Sequence, residues 1–355
     1  VHRFGYSEIR REIPADIVSL VKMIAEINSK NGIREAQYRK EFESVKAIAM
    51  VASAKYSNGI EGIFSTDDRI RELVLRGGTP QTHDEQEIAG YRDALSEVHG
   101  SHSDMDFDER TVLALHRTVM RYTQKETGYK KRDNAVFSTD GKGRTEIAYL
   151  PVPASETAEA MEQLSFAYMA ARDEGCEPLL LIPCVILDFL CIHPFADGNG
   201  RVSRLMTEVL LYNSGYDVCR YVSMDEHIYA TRDEYYASLN ASSAGWKENE
   251  FSYFPFVRYF LRTLLECYID LDTRFSIVDG KKLKKKQRIE KVILESTEPV
   301  SKRQICFILP DVSPRTVDAA VEKFLADGKI VKVGSFKDAR YASAESVTSG
   351  TERLG

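Results

Sequence analysis

Along most of the chain, apolar positions recur at three- and four-residue spacing, a period that predicts helices. It is clear in AQYRKEFESVKAIAMVASAKYS (36–57), MDFDERTVLALHRTVMRY (105–122) and SETAEAMEQLSFAYMAARDEG (155–175). Asp106, with Glu109 three residues on, forms an acidic variant of a capping box for the second segment. Ser155 would cap the third, and Gly175 would end it. DEYYASLNAS (233–242) and YFPFVRYFLRTLLECYIDLDTRF (253–275) add further helix. The period breaks at AVFSTDGKGRTEIAYLPVP (135–153), where a turn-rich centre lies between β-favouring arms, as in an irregular hairpin. Pro151 and Pro153 keep its second arm on an edge.

The most hydrophobic stretch, LLLIPCVILDFLCI (179–192), is too short for a bilayer and contains Pro183 and Asp188, so a buried helix is expected. Residues 1–30 lack the continuous apolar run of a secretory leader. The six cysteines form no CxxC pair and give no metal framework. A reduced, cytoplasmic setting without membrane contact is the expectation.

The net charge of −6 is unevenly spread. Residues 281–355 carry 16 Lys and Arg against 10 Asp and Glu, a net of +6, which leaves −12 on the rest. In this basic stretch KQRIEKVILES, SKRQICFIL (capped by Ser301) and SPRTVDAAVEKFLADG (capped by Ser313, with Pro314 at its first position and Gly328 as its stop) read as three helices. KIVKVG and ARYAS read as a hairpin. The order resembles a winged helix-turn-helix over residues 284–344. That resemblance makes DNA a candidate partner, through Arg315 and Lys323, although Asp318 and Glu322 share the same helix.

Directly after the apolar segment comes HPFADGNGRVSR (193–204). Asp197-Gly198-Asn199-Gly200 signals a tight turn feeding a helix, and such a junction presents backbone N–H groups to an anion. Arg201 and Arg204 in the first turn oppose the helix dipole unless a polyanion is bound. Asp197 could hold Mg²⁺ against phosphates. A neutral His193 suits removal of a proton from a hydroxyl. A P-loop is excluded, since no GxxxxGK[ST] occurs and no strand precedes the turn. Singly these residues suit a helix connection; within twelve positions they describe phosphoryl-group chemistry.

HPFADGNGRVSR resembles the signature of Fic-domain proteins, and the similarity extends over roughly 105–270, including LALHRTVM and the hairpin. The resemblance implies a mainly α fold: a Fic-type helical core with a β-hairpin flap, plus the C-terminal winged-helix domain. It implies transfer of AMP from ATP to a Ser, Thr or Tyr hydroxyl of a target protein, or of the chain itself. His193 would be the general base, Asp197 the Mg²⁺ ligand, and Gly198, Asn199 and Gly200 the anion hole. Arg201 and Arg204 would bind phosphate, and Phe195 would anchor the loop. Thr145, Glu146, Ile147, Ala148, Tyr149 and Leu150 would form the flap that aligns the target. Tyr235 and Tyr236 are candidates for a base pocket, with core packing as the rival reading.

YSNGIEGIF (56–64) resembles the inhibitory helix of this family, with Ser57, Glu61 and Gly62 filling its motif. By that resemblance Glu61 pairs with Arg204. The alternative is a helix that ends near Gly62 with a solvated glutamate. The expected domains are 1–104 (with the inhibitory helix at about 45–62), 105–275 and 282–345. Transfer of another phosphoryl-containing group, removal of AMP, or a DNA-binding regulator built on the same fold stay open. A second copy of the chain is a further candidate partner. His99 and His102 beside acids 104–109 could suggest a metal, but those acids suit a helix start. His116 reads as a core or interface residue.

Overall fold

A computed structural model describes residues 2–6, 9, 11–37, 39–139, 145–279, 284–296, 299–309, 312–334 and 339–344. The chain divides into two compact units, one of residues 1–31 and 47–268, the other of 32–46 and 269–355.

Helices α1 (Ala15–Gln37), α2 (Arg39–Ile60), α3 (Asp67–Arg76), α4 (His83–Ser101) and α5 (Glu109–Val119) come first. Strands β1 (Val136–Thr139) and β2 (Thr145–Tyr149) follow, then α6 (Thr157–Asp173), α7 (Pro178–Ile192), α8 (Asn199–Asn213), α9 (Met224–Ala230), α10 (Arg232–Ser243) and α11 (Phe254–Asp279). The apolar segment is α7, with Pro178 at its first position and the Glu177 side chain accepting from the Leu179 N–H. Its leucines, isoleucines and Phe189 are almost all buried, each contributing about 1.5–3 kcal/mol. No helix among the described residues is long and apolar enough to cross a membrane.

Asp188, a polar residue in this apolar helix, is completely buried. It accepts hydrogen bonds from Tyr6 Oη (2.7 Å), Trp246 Nε1 (2.7 Å) and Tyr253 Oη (2.8 Å). Burial pushes its carboxyl up to about 7, against these donors. The carboxylate thereby ties the N-terminal strap and the 246–253 loop to α7. Gly90 lets α4 approach α5: a Cβ there would lie 2.0 Å from the Val119 carbonyl oxygen.

Two helix starts differ from expectation. Helix α5 begins at Glu109 with Asp108 as its cap, accepting from the Thr111 N–H at 2.7 Å. Asp106 instead pairs with Arg172. Phe107 between them is fully buried, and its carbonyl accepts from Ser165 Oγ. The segment is thus pinned before the helix can begin. Helix α6 begins at Thr157 after a single 3₁₀ turn, so Ser155 does not cap it. Gly175 ends it as expected, with φ +72°.

The hairpin pairs β1 with β2 antiparallel, with Phe137 opposite Ile147 and a register irregularity after Val136. Residues 140–144, where a turn-rich centre was expected, lie outside the described residues.

In the second unit α12 (Lys285–Glu295), β3 (Val300–Ser301), α13 (Lys302–Ile308), α14 (Pro314–Ala326), β4 (Ile330–Val333) and β5 (Arg340–Ser343) follow one another. The strands form an antiparallel sheet of order β3-β5-β4. Ser301 and Gln304 make a reciprocal capping box, and Ser313 caps α14. Ile289, Ile293, Ile305, Val317, Val321 and Phe324 form the unit's own core.

Candidate functional site

The site is built at the junction of α7 and α8. Helix α7 ends on His193, which adopts a left-handed backbone (φ 51°). For a residue with a Cβ this costs roughly 1–2 kcal/mol, so its surroundings must hold it. The turn beyond is locked by Asn199, whose Oδ1 accepts from the Phe195 N–H (2.9 Å) and whose Nδ2 donates to the Phe195 carbonyl (2.8 Å). Phe195 is fully buried and stacks on His116, with ring centroids 3.8 Å apart. His116 Nδ1 accepts from the Gly128 N–H, so Nε2 carries the proton and donates to the Asp197 carbonyl (3.1 Å). Burial, with Arg201 nearby, lowers His116 to about 4, which fixes this neutral form. Gly198 takes φ +85°, and a Cβ there would meet Met120 Cε at 2.5 Å.

Burial lowers His193 to about 4, with the Lys130 ammonium acting in the same direction. The imidazole is therefore neutral at pH 7. A neutral imidazole keeps one unprotonated ring nitrogen that can accept a proton.

Helix α8 has no side-chain cap; its N-cap is Gly198. The Glu61 carboxylate lies against this N-terminus. A Cβ on Gly200 would lie 2.2 Å from Glu61 Oε1, and the same oxygen accepts from Arg204 Nη2 at 2.9 Å. Arg204 also donates to Ser57 Oγ (2.8 Å) and the Ser57 carbonyl (2.9 Å), and pairs with Asp225 Oδ1 at 3.1 Å. Burial disfavours the Arg204 cation, but Glu61 and Asp225 raise its pKa further still. Helix α2 ends at Ile60, and Gly62 (φ +80°) turns the chain away. Ser57, Glu61 and Arg204 thus meet.

The two arginines are not equivalent. Arg201 is 1% exposed, with Nη1 2.6 Å from Glu87 Oε2 and Nη2 3.5 Å from Asp197 Oδ1. Its Nε has no hydrogen-bond partner among the described residues. Asp197 accepts from the Gly198 N–H on one oxygen, and Lys125 Nζ lies 2.5 Å from the other. Lys125 also reaches Glu87 at 2.7 Å. Burial alone would raise the Asp197 carboxyl, but Lys125 and Arg201 hold it below its usual value.

Among the described residues no group of three or more His, Cys, Asp or Glu could hold a metal alone. Mg²⁺ prefers one or two carboxylates completed by phosphate oxygens and water. Asp197, about half exposed, fits such an ion as a ligand shared with a bound phosphate chain. His99, by contrast, is occupied by Glu208 and Tyr212.

Tyr235 is buried, packing near Phe256 and Tyr259, while Tyr236 is 38% exposed. Of the two, only Tyr236 presents a ring at the surface. In the hairpin Ile147 and Leu150 are exposed, whereas the Tyr149 hydroxyl is buried near Cys191 of α7. Lys125, Lys130, Glu87 and Asp225 were not singled out from the sequence. Lys130 sits in the run Lys130-Lys131-Arg132, which looks like a solvated face, yet it is 5% exposed.

Residues 106–211 match the Fic/DOC family. The chain is similar to protein adenylyltransferase Fic of Nematostella vectensis, 25% identical over 217 residues, covering 58% of this chain and 45% of that one. Its counterpart in Drosophila mojavensis is 24% identical over 271 residues, covering 74% and 49%. The chain spans about half the length of these curated relatives. A Fic family protein from Desulfovibrio desulfuricans has a similar fold, with a TM-score of 0.60 at 22% identity over 94% of this chain and 97% of that one. So does a Fic domain containing signaling protein from Bacteroides thetaiotaomicron, with a TM-score of 0.56 at 21% identity over 72% and 94%.

Proposed function

We propose, from the match of residues 106–211 to the Fic/DOC family and the distant similarity to protein adenylyltransferase Fic, that the chain transfers AMP from ATP to a protein hydroxyl and is held back by its own Glu61. The observation that carries this reading is the anion already seated at the start of α8. Glu61 Oε1 lies against Gly200 and within hydrogen-bond distance of Arg204. A helix N-terminus with converging arginine donors is a phosphate site, and a carboxylate there takes the place of a phosphate.

His193 removes the proton of the target Ser, Thr or Tyr. The hydroxyl oxygen then attacks the α-phosphorus of ATP, and the bond to pyrophosphate breaks. Arg204 and the N–H groups of the Gly198–Gly200 turn carry the negative charge of the phosphate chain. Asp197 would hold Mg²⁺, which supplies charge neutralisation on the phosphates. Arg201, buried against Glu87, holds the first turn of α8 and adds its field from behind. The β2 edge lines up the target by main-chain pairing, and Tyr236 is the aromatic surface for the base.

The identity of the transferred group is tested by intact-mass measurement after Glu61→Gly protein is incubated with Mg²⁺ and ATP. The expected adduct on the chain, or on an added lysate protein, has the mass of one AMP residue at a hydroxyl side chain. A phosphate adduct, or none derived from ATP, overturns the reading.

Lys125 occupies the Asp197 oxygen that a divalent ion would take. A partly exposed ion pair contributes up to about 1 kcal/mol. Lys125→Met should therefore tighten Mn²⁺ binding to the nucleotide-free chain severalfold, as measured by electron paramagnetic resonance. Unchanged affinity would show that Lys125 does not compete.

We read the second unit as a winged helix-turn-helix, because its elements run helix, strand, helix, helix, strand, strand. The exposed residues of α14 mix Arg315 and Lys323 with Asp318 and Glu322, and Lys302 pairs with Asp318. Such a surface suits docking of another protein better than a uniform polyanion.

A further inference from the structure

We infer that Lys130 is a positioning residue for His193, clamping the end of α7 so that the imidazole keeps its left-handed, hydroxyl-facing placement. A helix leaves its last carbonyls without intrahelical donors, and α7 leaves them beside the base itself. The Lys130 ammonium meets this need. It donates to the carbonyls of Ile192 (3.1 Å) and His193 (3.0 Å) and to Asn134 Oδ1 (2.8 Å), using all three of its protons. The Lys130 backbone N–H donates to the Pro194 carbonyl at 2.8 Å, and Asn134 Nδ2 donates to the Phe195 carbonyl at 3.1 Å. Four consecutive carbonyls, 192 to 195, are thus held from one segment, together with the non-glycine left-handed residue among them.

A buried ammonium whose hydrogen-bond partners are all neutral oxygens is costly, so an ion pair does not explain its burial. Its placement has two effects on His193: it fixes the backbone, and it sets a cation beside the ring. The charged groups facing that ring are Lys130, Glu61 and Asp197, and Lys130 alone among them acts to keep the imidazole unprotonated.

The inference rests on His193 being the base, so its first readout does not use the transfer reaction. In the nucleotide-free chain, the His193 ring is titrated by NMR. With Lys130→Met the midpoint should move upward from its depressed value, whereas Lys130→Arg, which keeps the charge and the donors, should leave it low. In the Glu61→Gly background, Lys130→Met should lower kcat for AMP transfer about a hundredfold, the scale of a small misplacement of a reacting group. KM for ATP should stay within about twofold, and Lys130→Arg should recover most of the rate. If Lys130→Met does not fold, Lys130→Gln, neutral but still a donor, must show the same upward movement. An unmoved His193 midpoint in the neutral variant, or a loss confined to KM, overturns the proposal. A moved midpoint without any AMP transfer would support the clamp and count against the transfer reading alone.

Discussion

Glu61→Gly is expected to raise the initial rate of AMP transfer about ten- to hundredfold over the unaltered chain. The size follows from what is removed. Hydrogen bonds to charged groups contribute about 1.5–3 kcal/mol, and every 1.36 kcal/mol is about tenfold in rate. The substitution removes the carboxylate from the proposed phosphate position while leaving the site intact. Arg204 keeps Ser57 and Asp225 as partners, so it is neither orphaned nor free to swing away. The turn survives, because the residue 61 N–H bonds the Asn58 carbonyl and the positive φ belongs to Gly62. Glu61→Gln separates charge from bulk: it should fall between the two, since an amide can still accept from Arg204 but does not repel phosphate. The check is incorporation of label from α-labelled ATP at saturating Mg²⁺. Equal, low rates in the native and glycine chains would sink the inhibitory role of Glu61.

That pairing shows how far the chain could be read before its structure. Glu61 and Arg204 are 143 positions apart, yet both were identified: Arg204 from a compact motif whose spacing has a chemical reason, Glu61 through the resemblance of YSNGIEGIF to the family's inhibitory helix. The α7–α8 junction was legible for the same reason. Glycines, an asparagine and a histidine between an apolar run and a helix have few structural uses. What stayed hidden were groups whose role comes from tertiary placement alone. Lys125, Lys130 and Glu87 look in sequence like ordinary surface charges. Only the fold brings the first to Asp197, buries the second under the end of α7, and sets the third against Arg201. Arg201 and Arg204 were both read as phosphate ligands, and spacing could not reveal that both are buried, Arg201 against Glu87 and Arg204 against Asp225. The helix starts were missed where several candidate caps lay together: among Asp104, Asp106 and Asp108 the choice was settled by the burial of Phe107. Strand β3, two residues long, is defined by its pairing with β5 and has no period of its own to show.

His193→Ala, made in the Glu61→Gly background where activity is measurable, should lower kcat about 10²- to 10⁴-fold, the span that a positioned general base supplies. KM for ATP should change little, because the proposed phosphate contacts come from Arg204 and the Gly198–Gly200 turn rather than from the imidazole. The pH dependence sharpens the assignment. Burial and the Lys130 cation lower His193 to about 4, and the neutral form is the one that can take a proton. Activity limited by this group is therefore lost only as pH falls through about 4, and the rate should show no acid limb between pH 6 and 8. A limb near the ordinary histidine value would mean that the site does not hold the ring neutral in the working complex. The alanine variant should have no such dependence, and its nucleotide affinity, followed by calorimetry with Mg·ATP, should match that of its parent. More than a tenth of the parental rate in His193→Ala would exclude His193 as the base. The phosphate nest and Arg204 would then have to account for catalysis by charge stabilisation alone, a contribution on the order of 10²–10³ for a well-placed donor.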